Sequence, residues 1–339
     1  MPSMPEAGTI LITGACGFVG LALVEHLLSR DETVIGWDRM PLPPEALSRF
    51  SELPGCFVPV QGDVCDAVTL GAVLKTHRPR CMVLLAAVTA GAERERAEPE
   101  HIFEVNLVAV TKALRLAAEH GVERVLLVSS GSVYGDGPQQ APLHEQRTPL
   151  RPEGLYGISK QAAEAAALRL ASLHGIDLRI GRLGTCFGPW ERDTGVRDTP
   201  SAPLQALRRL RAGEPVRLPR PLRRDWLYVR DAAGAIAALL DLDRPTQPVY
   251  NLAAGFEWSV ADWCAWLAAQ PGFEEADWRV AEDAGEININ AYADHDRASM
   301  DIGALRRDTG FTARFDLPRA AADFVAWLDM PAHGGLVHA

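Results

Sequence analysis

Residues 9–20, TILITGACGFVG, carry the pattern on which the fold turns. Thr9 to Thr13 is a short, apolar, β-branched run, and Gly14, Gly17 and Gly20 follow it at G-x-x-G-x-x-G spacing. A helical pattern then runs through Leu21, Val24, Leu27 and Leu28. Strand, glycine turn and helix in that order turn a weak glycine pattern into a dinucleotide signal. Gly14 permits the tight turn, Gly17 the approach of a pyrophosphate to backbone N–H groups at the helix N-terminus, and Gly20 close packing of helix on strand. Phe18 and Val19 fall on the same first turn and join the candidate cofactor contacts. A plain β–turn–α connection is the competing reading.

The next apolar run, Thr33 to Trp37, ends at Asp38, 24 residues after Gly14. A carboxylate there accepts hydrogen bonds from adenosine ribose hydroxyls and repels a 2′-phosphate, favouring NAD over NADP. Arg39 beside it is a guanidinium that a 2′-phosphate would use. Cys56 to Val60 reads as a third strand entering QGDVCD, where Asp63 and Val64 face an adenine; Asp63 equally suits the turn before a helix at Val68. Cys81 to Ala87, CMVLLAA, reads as a fourth strand buried on both faces, with Leu85, Ala86 and Ala87 leaving room for a cofactor.

A long helix is expected from about Pro99 to His120. It contains Asn106, either a satisfied structural amide or part of a polar network at the cofactor. Arg124 to Ser129 is a fifth strand running into SSGSVYG, and Ser130 falls at its carboxyl end, where open parallel sheets bind ligands. A helix to His174 and a sixth strand, Asp177 to Arg182, complete the alternation. The expected class is α/β: a Rossmann-type doubly wound parallel sheet over 8–182 with a smaller C-terminal substrate lobe over 183–330. PVYNLA near 248–253 is expected to return to the sheet, and 331–339 to be a disordered tail.

Tyr156 to Lys160, YGISK, sets a phenol and an ammonium on one helix face, since i and i+4 side chains meet. A neighbouring cation stabilises a phenolate, so a tyrosine of ordinary pKa near ~10 exchanges protons closer to neutrality. Alone the spacing is common among surface neighbours. The upstream dinucleotide pattern and the serine-bearing strand end give it weight.

At 339 residues and 47% hydrophobic, the chain suits one α/β domain plus a lobe. A net charge of −10 argues against nucleic acid as a partner. Six scattered cysteines without a C-x-x-C read as reduced thiols of a cytoplasmic protein. No run of 18 apolar residues is present, so no membrane association is expected, and no cluster of ligand types supports a metal.

From Phe187 to Pro203 a Gly-, Pro- and Asp-rich loop reads as a substrate loop, and Trp190 within it either stacks on a ligand or pins the loop. Arginines 208, 209, 211, 217, 220, 223, 224 and 230 reverse the overall charge locally, which points to an anionic ligand or to a solvated face.

Taken together, GACGFVG, Asp38, GDV, LAA, SSGSVYG, YGISK and RRDWLYVRD resemble the extended short-chain dehydrogenase/reductase family, over about residues 8–328. Within it the pattern is similar to the NAD-dependent epimerase/dehydratases acting on sugars. The resemblance implies NAD as cofactor, Tyr156 and Lys160 as catalytic and cofactor-binding residues, and Ser130 as the catalytic hydroxyl, with Ser132 the weaker candidate. Family dehydratases follow that hydroxyl with an acidic pair, and Gly131 and Ser132 stand there. Arg224 matches an arginine the family uses on a nucleotide-sugar diphosphate. Thr185 replaces an expected Asn, and no arginine precedes the tail motif at ININAYADHDRASMD. A free sugar, sugar acid or sugar phosphate therefore stands beside a nucleotide sugar, with Arg192, Arg197 and Arg224 as candidate anion contacts. The family also implies a homodimer through helices 99–120 and 157–174.

The chemistry expected is hydride transfer at a secondary carbinol, with Tyr156 taking the hydroxyl proton and Ser130 holding the oxygen. A retained and re-reduced ketone makes an epimerase, and a released one makes a dehydrogenase. A non-catalytic dinucleotide sensor would show a damaged triad, whereas Ser130, Tyr156 and Lys160 are all present.

Overall fold

The apolar runs and the segments between them become β1 (Ile10–Thr13), α1 (Phe18–Leu28), β2 (Thr33–Asp38), α2 (Pro44–Ser51), β3 (Cys56–Gln61), α3 (Ala67–His77) and β4 (Cys81–Leu84). After these come α4 (Ala92–Ala97), α5 (Pro99–Phe103), a π-helical turn at Glu104–Val108 and α6 (Ala109–Glu119). β5 (Arg124–Ser130), a 3-10 turn at Gly131–Tyr134, α7 (Leu155–His174) and β6 (Asp177–Leu183) close the alternating part. The computed structural model describes residues 8–135, 137, 141–192, 199–291, 293 and 295–330; Arg197 and the tail 331–339 lie outside them.

Beyond β6 come β7 (Cys186–Phe187), α8 (Ala202–Arg211), β8 (Val216–Leu218), β9 (Arg223–Arg224), β10 (Leu227–Tyr228) and α9 (Val229–Asp241). β11 (Val249–Leu252), β12 (Trp258–Ser259), α10 (Val260–Ala268), β13 (Trp278–Val280), α11 (Gly303–Thr309) and α12 (Leu317–Leu328) complete the described chain.

Seven strands form one parallel sheet in the order β11-β6-β5-β4-β1-β2-β3. The order reverses at β1, and the crevice beside such a reversal is where open α/β sheets hold ligands. One face packs against α1 and α9 through Leu21, Leu27 and Ile236, the other against α3, α6 and α7 through Leu74, Leu114 and Ala167. β11 joins the edge beside β6 with Val249 opposite Ile180, so chain from beyond residue 183 completes the sheet. Among the described residues no helix is long and apolar enough to cross a membrane.

Three expectations change. The fourth strand stops at Leu84 rather than Ala87, because the N–H groups of Leu85 and Ala86 donate to Thr13 Oγ1 (3.1 and 3.2 Å), drawing the chain out of the ladder. The helix expected over 99–120 is broken by the π turn that carries Asn106, a distortion that recurs at functional sites. Most of the arginine cluster is consumed in ion pairs: Arg209 with Glu214, Arg211 with Asp329, Arg217 with Asp277, Arg220 with Asp296 and Arg230 with Asp323. Four of these five acidic partners come from distant sequence and fold back onto it, so it does not act as one anion site.

Candidate active site

A cleft of about 730 Å³ opens along the carboxyl ends of the central strands. Gly14, Gly17, Phe18, Val19 and Gly20 form its floor. Gly14 has φ +74°, and a Cβ there would lie 2.8 Å from the Ala86 backbone. At Gly20 a Cβ would meet the Gly14 carbonyl at 2.1 Å. Gly17 caps α1 without a side-chain hydrogen bond, and the first turn holds no acidic residue. The positive end of the helix dipole is thereby left for an anion.

Asp38 and Arg39 line the same cleft, with Asp63 and Val64 on one side and Leu85, Ala86 and Ala87 on the other. Asp38 is held in place by two backbone donors, Cys16 N to Oδ2 and Met40 N to Oδ1, both at 2.9 Å. Each oxygen keeps a lone pair for a ribose hydroxyl. Burial, then the Asp38 charge, push the Cys16 thiol up to about 12, so it stays neutral. An uncapped helix start, a carboxylate with free lone pairs at the end of β2 and small residues on the far wall fit a dinucleotide whose ribose carries no 2′-phosphate.

At the end of β5, Ser130 caps the 3-10 turn. Its Oγ accepts from Ser132 N and donates to Ser132 Oγ, each at 3.1 Å. Tyr156 and Lys160 stand one turn apart on α7, and all four side chains reach the cleft. Lys160 is 2% exposed and its Nζ donates to the Val128 carbonyl at 2.6 Å. Burial lowers its pKa to about 8, against the opposing charge of Glu164.

Glu164 belongs to a buried network under the site. It accepts from Ser129 Oγ (2.5 Å) and from Arg182 Nη2 (2.7 Å). Arg182 Nη1 donates to Tyr134 OH (3.0 Å), which donates to Asn251 Oδ1 (2.7 Å). The chain of bonds locks β5, β6, β11 and α7 together, which sets where Ser130 and Lys160 point.

Two expected contacts do not reach the cleft. Asn106 is fully buried; its Nδ2 donates to Val88 O (2.9 Å) and Ser159 Oγ (3.0 Å), and its Oδ1 accepts from Val88 N (2.9 Å). Having spent its amide on these, it ties the chain after β4 to α7 and supports the cofactor wall from behind. Trp190 is 2% exposed, packs edge-on against Phe50 and Trp327, and donates to Glu25 Oε2 at 2.9 Å. It pins the loop, because its indole is more stable in that aromatic pocket than in a polar cleft. Arg192 does line the cleft, but at the cofactor end: its Nη2 donates to the Cys16 carbonyl at 3.2 Å.

Thr185 and Arg224 line the other end, joined by a bond from Arg224 Nη1 to Thr185 Oγ1 at 3.2 Å. The Arg224 guanidinium lies 5.8 Å from the Trp226 ring centre. His295 and Arg297 also line this end and were missed by sequence reasoning. Arg297 Nη1 donates to the Gly131 carbonyl at 2.7 Å. Only the tertiary path of the tail brings it 166 residues back to the β5 end; no local spacing marks it.

A family model described as the NAD dependent epimerase/dehydratase family matches residues 10–253. The chain belongs to that family. It is accordingly an NAD-dependent enzyme of the epimerase/dehydratase type. It is 25% identical over 364 residues to the dTDP-L-rhamnose 4-epimerase of Burkholderia thailandensis, covering 96% of each chain. It is 26% identical to the UDP-glucuronate 4-epimerase of Thermodesulfobacterium geofontis, covering 73% of this chain and 76% of that one. Among solved structures, MoeE5 in complex with UDP-glucuronic acid and NAD superposes with a TM-score of 0.73 at 27% identity, over 94% of this chain and 98% of that one.

Proposed function

We propose that this epimerase/dehydratase family member is an epimerase of a nucleotide-linked sugar, acting at the C4 carbinol. The observation that carries the reading is the wall at the end of β5: Ser130, Tyr156 and Lys160 face the cleft together, while Gly131 and Ser132 occupy the two following positions without a carboxyl group. Loss of a C6 hydroxyl as water needs an acid and a base beside C5 and C6. Oxidation and re-reduction at C4 need only the three groups present. The names of the two relatives described above, both 4-epimerases of nucleotide sugars, support both the position and the nucleotide. Arg224, beside Thr185, serves the sugar-linked diphosphate.

Bound NAD supplies the acceptor and then the donor of hydride. Ser130 hydrogen-bonds the C4 oxygen, Tyr156 takes its proton and later returns it, and the Lys160 charge favours the deprotonated tyrosine. We further propose a cytoplasmic homodimer joined through α6 and α7; Val108, at the end of the π turn that leads into α6, and Ile158, Leu168 and Leu173 on α7 are exposed. Sedimentation as a monomer at assay concentration would remove the dimer.

The test is the nicotinamide content of desalted, acid-denatured protein together with product analysis on UDP- and dTDP-hexoses. Near-stoichiometric NAD and formation of the C4 epimer without net NADH are expected. NADH accumulating with a released ketone would make the enzyme a dehydrogenase, and a 4-keto-6-deoxy product a dehydratase.

A further inference from the structure

Gly131 and Arg297 form one device. A Cβ on residue 131 would lie 2.9 Å from Arg297 Nη2 and 2.9 Å from Met300 Sδ, so the guanidinium occupies the space a side chain would need. Its Nη1 is anchored on the Gly131 carbonyl, one residue from the hydroxyl of Ser130. Nε is buried and has no hydrogen-bond partner among the described residues. A guanidinium carries five N–H donors, and here the anchoring bond to Gly131 engages one.

The charge is not neutralised by contact either. Asp225 is the carboxylate that acts on it electrostatically, yet the two form no ion pair among the described residues, and Asp225 Oδ1 itself lacks a partner. Asp225 Oδ2 is used by Met300 N at 2.8 Å. Burial disfavours the charge on both groups, lowering the pKa of Arg297 and raising that of Asp225. A neutral hydroxymethyl group covering such a cation offers it a single neutral acceptor and leaves its charge unpaired, whereas a carboxylate pairs with it.

We infer that Arg297, in the space left by Gly131, selects a substrate bearing a carboxylate on the carbon next to the reacting carbinol, a nucleotide-linked hexuronate in preference to the neutral hexose. This rests on the C4-epimerase reading, in which Ser130 marks the C4 oxygen and the neighbouring C5 substituent faces residue 131. Arg297 is then a specificity-determining residue, and the Gly131 carbonyl fixes its position.

The experiment compares UDP-glucuronate with UDP-glucose, and dTDP-glucuronate with dTDP-glucose, by binding calorimetry on the NAD-loaded protein and by epimer formation. A charged hydrogen-bonded contact predicts a preference for the uronate of roughly a hundredfold in affinity or in kcat/KM. Arg297→Gln should abolish that preference while leaving the hexose within about threefold. Arg297→Lys should keep part of it. Gly131→Ser, which displaces the guanidinium without removing it, should weaken the uronate selectively. Equal binding of uronate and hexose by the wild type would overturn the inference, as would equal losses on both sugars in Arg297→Gln. A uronate that binds selectively but is not turned over would sink the epimerase reading and leave the carboxylate subsite standing.

Discussion

The two walls of the cleft each present a cation to the end of β5, Lys160 buried and Arg297 part-buried, and they differ in how that cation is held. Lys160 donates to Val128 O at 2.6 Å, and Arg297 donates to Gly131 O at 2.7 Å, three residues further along the same strand end. Behind Lys160 stands Glu164, fully engaged by Ser129 and Arg182; behind Arg297 stands Asp225, with one oxygen unpartnered. The first arrangement is a closed network whose polar groups are satisfied, and it holds the proposed catalytic lysine rigidly. The second is open, with donors still to be filled. A site that must work on every turnover is pre-organised, and a site that must recognise is completed by its ligand.

The contrast can be broken at several depths. The deepest cut is Tyr156→Phe, which removes the proton acceptor while leaving α7 packed; turnover should fall by about 10²–10⁴-fold with NAD content unchanged. Full turnover in that variant would end the proposed chemistry. Arg182→Met severs the network under Lys160 and leaves Glu164 buried and unpaired, so denaturant titration should show about 3–5 kcal/mol lost. An unchanged midpoint would mean the network does not hold the catalytic wall.

The pH dependence of stability follows from Lys160, whose folded pKa of about 8 lies below its unfolded value of 10.5. Between those values the unfolded chain binds more protons, so this group makes the cofactor-free protein more stable as pH rises through the window. Relative to Lys160→Met, the gain from pH 8 to pH 10.5 should be about 3 kcal/mol. A flat difference across that range would contradict the burial of the ammonium. Activity should run the other way, falling above pH 8 as the charge beside Tyr156 is lost.

Asn106→Ala leaves the backbone groups of Val88 unsatisfied behind the cofactor wall. It should cost about 1–3 kcal/mol of stability and loosen NAD retention, both readable by thermal melts with and without added NAD. The smallest effect on function is expected from Trp190→Phe, which removes the bond to Glu25 and part of the ring packed against Phe50 and Trp327: stability should drop by about 1–3 kcal/mol and the sugar KM should not move. A several-fold rise in that KM would restore Trp190 to the substrate.

The cofactor wall was largely legible because its signals are local. A glycine turn between strand and helix, a carboxylate at the end of the next strand and a Tyr/Lys pair at i, i+4 each depend on residues close in sequence. For Asn106 and Trp190 the sequence left a ligand contact and a structural role both open, and the structural role is the one found. A polar residue among apolar neighbours announces that it has partners, but not which ones, and an aromatic in a Gly/Pro-rich loop does not reveal whether the loop folds over a core. The arginine run was ambiguous for a related reason. Asp277, Asp296, Asp323 and Asp329, the partners of four of its members, come from 60 to 118 positions further along the chain.

From the sequence alone came the parallel α/β class, the glycine turn between strand and helix, the carboxylate of Asp38 at the next strand end and, with the family resemblance, the set of Ser130, Tyr156 and Lys160 that lines the cleft, because backbone periodicity and helical spacing place those groups whatever the rest of the chain does. The tertiary structure decided which polar groups are spent and which are left to meet a ligand. The Glu164–Arg182 pair, the closure of Asn106 on Val88 and the arrival of Arg297 over Gly131 all join segments 18 to 166 residues apart. Contacts at that separation are set by how the layers pack, which no local pattern encodes.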